Sequence, residues 1–292
     1  MRVITGLCFM TLVACLALPV HGARADEAGA SPWQKVAGAR VRLVAVPSAV
    51  EGVDDNRLDA AVEFEIDPGW HIYWRFPGET GIPTEADFSA SSGITEAHLR
   101  FPAPQRHFDG AFTSIVYETH ALLPVDLRLE SEGSRAELVA DLRFGICSDI
   151  CVPGEARLAL ALPPESAPSA RRPAINAARA TLATPQGEAA PRVATVTASP
   201  AADPDAAPEI LIEVQLAGVD EPIDLFAEGV AGSYNGVPVL VERTGARARF
   251  SLSGEGFIDA ADGSRPLRLT LIDGARTVEH DVDLAPIFGR LR

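Results

Sequence analysis

Cys147 and Cys151 are the residues of this 292-residue chain whose type and spacing most directly offer chemistry. They lie in FGICSDICVP (144–153), separated by Ser148, Asp149 and Ile150. Two thiols so close in sequence can form a structural disulfide, switch between dithiol and disulfide, or hold a soft metal ion. The other two cysteines, Cys8 and Cys15, sit in an N-terminal segment where Arg2 precedes an apolar run that ends at Val20. Ala23-Arg24-Ala25 follows, and then Asp26 and Glu27. That layout is expected of a secretory signal peptide cut after Ala25. A retained anchor is disfavoured by the short run and by Pro19, and Leu12-Val13-Ala14-Cys15 leaves lipoprotein anchoring at Cys15 as an alternative. Removal of residues 1–25 would take away Cys8, Cys15, both methionines, Arg2, Arg24 and no acid, moving the formal charge from −15 to −17. So acidic a chain disfavours nucleic acid and anionic lipid as partners. No later stretch approaches about 18 unbroken apolar residues, so the mature chain is expected to have no membrane span.

The three uses of the pair can be weighed physically. In an extended strand, residues four apart lie about 13 Å apart, whereas a disulfide needs Cα atoms within about 7 Å. Bonding therefore requires residues 148–150 to turn, which Ser and Asp favour. As a staple the bond would contribute little: the loop-entropy relation gives about 2 kcal/mol for five residues, against about 4.7 for a 100-residue loop. A metal site has two thiolates suited to Cu(I), but no methionine remains after cleavage. Nor does any zinc spacing link the pair to His71, His98, His107, His120 or His280. Redox exchange fits best, although the spacing is not Cys-x-x-Cys and no helix clearly begins there to lower a thiol pKa. Asp149 between the thiols favours a disulfide that is attacked over a thiolate that attacks.

Strands must position this pair. Leu58, Ala60, Val62, Phe64 and Ile66 alternate with mostly polar neighbours, the period of a half-buried strand. Further strand-like runs cover 41–46, 71–76, 97–101, 122–129, 136–144 and 156–162, with Gly and Pro between them. Many short strands between turn signals predict an all-β sandwich. From Pro163 the texture becomes Pro/Ala-rich, with one helix-forming stretch at 175–183. A second alternating region follows, including Ile210–Leu216, Val237-Val239-Val241, Leu267–Leu271 and 278–284. The expected organisation is a signal peptide (1–25), a redox sandwich (26–163), a linker with a short helix (164–191) and a second, smaller β-sandwich (192–292).

Three blocks carry a family resemblance: GWHIYWRFPGETGIPTEADF (69–88), FPAPQRHFDGAFTSIVYETHALLPV (101–125) and LRFGICSDICVPGEARLAL (142–160). Together they resemble the N-terminal periplasmic domain of the DsbD thiol:disulfide interchange family, most closely its ScsB variant with Gly-x-Cys-x-x-x-Cys-x-Pro. The resemblance implies an immunoglobulin-like fold, with Cys147 and Cys151 as the exchanging pair and the second cysteine forming the mixed disulfide. It implies a cap over the pair at 107–112, with Asp109 and Phe112 as cap carboxylate and ring and Phe108 beside them; the cap would shield the thiols and open on docking. Gly110 stands where the family has a second acid. Tyr73 matches a ring lining the site, and His71 replaces another tyrosine. The implied partners are a membrane-embedded DsbD/ScsB/CcdA-like thiol transporter as electron donor and periplasmic thioredoxin-fold or other thiol proteins as acceptors, with no cofactor. The chain ends at Arg292 without the family's membrane and thioredoxin-like domains, so the donor is expected to be a separate protein. The rival expectation is a copper-handling or protein-docking module with a structural disulfide.

Overall fold

Alternation of apolar and polar residues builds nearly every element of the chain. The structure is a computed structural model that describes residues 29–47, 56–131, 134–162, 171–200 and 206–290. The expected signal peptide with Cys8 and Cys15, and linker residues 164–170, lie outside the described residues.

Eleven strands form the first sandwich: β1 Gln34–Val36, β2 Ala39–Pro47, β3 Arg57–Ile66, β4 His71–Gly78, β5 Glu85–Asp87, β6 Ile94–Leu99, β7 Gln105–Phe108, β8 Thr113–Glu118, β9 His120–Leu129, β10 Ala136–Cys147 and β11 Cys151–Leu162. One sheet runs β1-β2-β3-β9-β6, and the other runs β11-β10-β4-β8-β7 with β5 paired to β10. Between them lie Val41, Leu43, Val62, Phe64, Ile72, Trp74, Leu123, Leu138, Leu142 and Phe144, all buried. Phe64 and Phe144 meet edge to face across the layers, ring centroids 5.1 Å apart, a geometry that aromatic quadrupoles favour.

The helix predicted at 175–183 is α1, Arg172–Ala180. It starts earlier because Pro173 sits in its first turn, where the missing N–H has no partner to lose. Its Ile175 is fully buried against Val44, Val46, Ala61 and Leu122, on the outer face of the first sheet. The second sandwich contains β12 Thr184–Pro185, β13 Arg192–Ser199, β14 Glu209–Gln215, β15 Ile223–Glu228, β16 Val239–Thr244, β17 Arg247–Ser253, β18 Pro266–Asp273 and β19 Arg276–Asp283, then the short helix α2 Ala285–Gly289. Its sheets run β12-β19-β18-β15 and β13-β14-β17-β16.

One strand reading needs correction. The alternation of Val237, Val239 and Val241 predicts a strand over these residues. Val239 and Val241 are exposed on β16, at the edge of its sheet, while Val237 precedes that strand and packs into the first sandwich's core.

The second sandwich grips the first through β4 and β7. Phe226 of β15 is fully buried in the first core, 5.9 Å from the Trp74 ring. Arg75 of β4 reaches Glu228 at 2.7 Å and Glu279 at 2.6 Å. Burial opposes its charge, but these two carboxylates outweigh that and hold the guanidinium ionised. Arg106 of β7 binds the Asp224 carboxylate and donates to the carbonyls of Leu225 (2.8 Å) and Pro238 (2.7 Å).

Candidate functional site

The β10–β11 hairpin closes on the cysteine pair. Cys147 and Cys151 are its last cross-strand partners, their Cα atoms 4.1 Å apart and their sulfurs joined in a disulfide. Ser148, Asp149 and Ile150 form the exposed turn, in which the Ser148 N–H donates to the Ile150 carbonyl at 3.2 Å. The two sulfurs have unlike surroundings. Cys147 is 1 % exposed and packs with Tyr73 and Val116, whereas Cys151 lies in solvent.

Tyr73 gives the pair its polar contact. Its hydroxyl donates to Cys147 Sγ at 3.1 Å and lies 3.4 Å from Cys151 Sγ. Two glycines make room for its ring: a Cβ at Gly81 would lie 2.2 Å from Tyr73 Cε1, and one at Gly145 would lie 2.8 Å from Cδ2. Gly81 also takes φ +118°, a conformation that L side chains rarely adopt,. The Gly in FGIC therefore serves the tyrosine on the neighbouring strand β4, not the turn. Thr84 completes the mount by donating its hydroxyl to the Tyr73 carbonyl at 2.5 Å. Burial pushes the Tyr73 phenol up; a hydrogen bond with Ser114 opposes this and the Asp109 carboxylate adds to it. The phenol thus remains a proton-bearing donor at neutral pH.

His71 occupies the same outer face, two residues before Tyr73, and is the direct cross-strand partner of Cys147 on one side and Glu118 on the other. It is 6 % exposed. Its ring meets Tyr73 edge-on at 5.3 Å and stacks on His107 at 4.4 Å. Burial lowers its pKa, the charge of His107 lowers it further, and Glu118 and Asp109 pull the other way. His107 in turn places Nδ1 2.9 Å from a Glu118 oxygen. Glu118 was not singled out from the sequence, and His107 entered only as a histidine without zinc spacing and as the first residue of the expected cap. Their signal lies in strand pairing: His107 opposes Ser114 on β8, which turns it towards the face that carries Tyr73.

The expected cap is the β7–β8 hairpin. Asp109 accepts hydrogen bonds from the N–H groups of Ala111 and Phe112, both at 2.8 Å, and these bonds hold its carboxyl below the usual range. Gly110 takes φ +97° in the same turn. Asp109 is thus committed to its own turn. Phe108 and Phe112 are 68 % and 50 % exposed. The expected shielding needs correction: the hairpin leaves Cys151 in water, because its turn closes on itself. Ile150 (70 % exposed) and Val152 (37 %) are further exposed apolar side chains, on the β10–β11 hairpin that carries the pair.

Among the described residues no group of three or more His, Cys, Asp or Glu side chains is arranged to hold a metal ion, and no helix is long and apolar enough to cross a membrane.

Comparison with known proteins places this geometry. The structure matches the crystal structure of the N-terminal periplasmic domain of ScsB from Proteus mirabilis, with a TM-score of 0.66 and 19% identity, over 87% of this chain and 98% of that one. At that identity the likeness shows the fold, with both sandwiches included. No curated protein matches the chain in sequence. The family model described as thiol:disulfide interchange protein DsbD, N-terminal, matches residues 40–163, the stretch that holds the hairpin, Tyr73 and the cysteine pair. Residues 40–163 are therefore similar to the N-terminal domains of the DsbD family.

Proposed function

We propose that this chain is a periplasmic thiol-disulfide exchange protein that relays reducing equivalents through Cys147 and Cys151. The observation that carries the reading is the asymmetry of the disulfide: one sulfur open to water, the other buried under a hydroxyl donor. An incoming thiolate can reach Cys151. Its attack forms a mixed disulfide there and breaks the Cys147–Cys151 bond, leaving the electron pair on Cys147. The Tyr73 hydroxyl, 3.1 Å away, stabilises that charge, as hydrogen bonds to ionised groups do more strongly than those to neutral ones. The attacking group is a thiolate of a membrane-embedded DsbD/ScsB/CcdA-like transporter. A second thiol of the transporter then attacks the transporter's own sulfur in the mixed disulfide, leaving the transporter oxidised and releasing Cys151, and the Cys147/Cys151 dithiol so formed reduces a disulfide in a thioredoxin-fold or other periplasmic thiol protein. Exposed Phe108, Phe112 and Ile150 supply apolar contact for both partners, and no cofactor is required.

In this reading residues 1–25 are the export signal, 26–163 the redox unit, 164–191 the linker and 192–292 a brace that holds β4 and β7. The test is trapping. Cys147→Ser, expressed with export, should accumulate a mixed disulfide through Cys151 that reducing agent releases. Cys151→Ser should trap little, since Cys147 is buried. If neither replacement traps any protein, the relay is wrong.

A further inference from the structure

Strand β4 leaves its neighbours at the residue that touches both sulfurs. Towards β8 its register is regular as far as Tyr73, opposite Val116, and resumes only at Gly78, opposite Ser114. Trp74, Arg75, Phe76 and Pro77 therefore stand against Ile115 alone. Towards β10 the pairing ends at Ile72, opposite Ile146, and Gly145 turns its N–H to the Ile82 carbonyl at 3.0 Å. Bulges of this kind re-aim a side chain or end a ladder. Just beyond Tyr73 the strand thus lacks regular pairing on either side, yet the Tyr73 hydroxyl must keep its 3.1 Å and 3.4 Å contacts with the two sulfurs.

Side chains replace the ladder there. Thr84 donates its hydroxyl to the Tyr73 carbonyl at 2.5 Å and its N–H to the Trp74 carbonyl at 3.4 Å. Arg75 points away from the core that takes Ile72, Trp74 and Phe76, and crosses to the second sandwich. Its Nε and Nη2 donate to the two Glu228 oxygens at 2.8 and 2.7 Å, and Nη2 also donates to Glu279 at 2.6 Å. Such a fork fixes direction as well as distance. Both carboxylates are mounted on paired strands: Glu228 opposes Arg268 and Glu279 opposes Thr270, both on β18. Their side chains are only 11% and 23% exposed, so this grip is unlike a solvated surface pair of little worth.

We propose that Arg75 is a positioning residue for Tyr73: the grip of Glu228 and Glu279 fixes the β4 bulge and so keeps the phenol hydroxyl on the sulfurs. The second sandwich thereby sets how readily the disulfide is reduced. This rests on the exchange reading and its account of Tyr73. When a thiolate bonds to Cys151 and the electron pair of the broken S–S bond goes to Cys147, the hydroxyl must already point at that sulfur. Thr84 holds the Tyr73 backbone from its own loop, and Arg75 holds the strand two residues on. Arg75 acts on the sulfurs through Tyr73 alone.

The test is a double-substitution cycle on the full chain, read as the rate at which dithiothreitol reduces the Cys147–Cys151 disulfide. One dithiothreitol thiolate attacks Cys151, and its second thiol then releases the protein dithiol as cyclic dithiothreitol forms. Arg75→Lys keeps the charge but loses the fork, and should slow this reaction by about tenfold. In a Tyr73→Phe background the same change should slow it no further, since no hydroxyl is left to misplace. Glu279→Gln, which leaves Arg75 a neutral acceptor, should show the same dependence on Tyr73 with a smaller loss, and it carries the test alone if Arg75→Lys fails to fold. Equal slowing in both backgrounds would mean that Arg75 only stiffens the chain and would overturn the proposal. Unchanged rates for both Arg75→Lys and Glu279→Gln would overturn it too. Failure to trap a mixed disulfide, with the cycle still coupled, would remove the relay and keep the positioning role; trapping with an additive cycle would do the reverse.

Discussion

The outer sheet faces of the two sandwiches are built on the same two-residue period and end up opposite in character. In the second, the outer face of β14–β17–β16 is laced with exposed ion pairs: Arg249 lies 3.1 Å from Glu213 and 3.6 Å from Glu242, with side chains 45–59% exposed. In the first, the outer face of β10–β4–β8 buries Cys147, His71, Tyr73, Ser114 and Val116. Polar groups cost free energy to bury unless they are paired. A sheet that draws polar side chains out of water on its outer side, where solvated charge would suffice, is spending stability on chemistry. The second sandwich also buries Thr270 on the outer side of β18, beside Glu228, and sends Phe226, Arg75's carboxylate partners and the acceptors of Arg106 into the strands that carry the site.

That contrast can be broken by substitution. The largest effect is expected at the sulfurs: Cys147→Ser or Cys151→Ser should abolish turnover in a disulfide-reduction assay, while no single change on the outer face of β14–β17–β16 should lower it measurably. Next comes Phe226→Ala. Removing a fully buried ring costs about 3–5 kcal/mol, and because Phe226 lies in the first core, denaturation followed by Trp74 fluorescence should register the loss in the first sandwich. A change confined to the second sandwich's stability would show that the two fold independently.

Tyr73→Phe should be smaller and purely kinetic. The ring still fits between Gly81 and Gly145, so the melting temperature should hold. The lost hydrogen bond to a charged sulfur is worth about 1.5–3 kcal/mol, which slows reduction by a small thiol by about 10- to 100-fold. The smallest effect concerns acid. The folded-state pKa of His71 lies below its ordinary value of 6.5, so the unfolded chain binds the proton first as pH falls. Its contribution to stability is complete above 6.5 and is lost as pH falls towards the folded value. His71→Phe should flatten that part of the stability–pH curve. Glu63 behaves alike at lower pH: burial raises its pKa, but His120 and Arg42 outweigh this, so its contribution is lost as pH falls below 4.5.

Much of the first sandwich could be read from alternation, because β2, β3, β9 and β10 each carry a stripe of residues in the core between the sheets. β7 and β8 escaped because their outward residues, His107, Ser114 and Val116, follow the needs of the site and not a polar/apolar rhythm. The cysteine pair was evident, and Tyr73 and His71 were legible through the family blocks. The nearness of His71 to Cys147 was not, since sequence distance says nothing about which strands pair. A chain with no histidine beside FGICSDICVP in sequence places one directly across the ladder from its first cysteine. The β16 valines misled for a related reason: alternation marks a strand, but an edge strand need not bury either face.

The central claim is that Cys147–Cys151 is an exchanging disulfide and not a staple, and its reduction potential tests this most directly. Structural disulfides lie below about −300 mV. Equilibration of the full chain in thiol redox buffers, with the dithiol fraction read by alkylation, should give a potential above that limit, within reach of a cellular thiol relay. A value well below about −300 mV would mark the bond as structural and contradict the account.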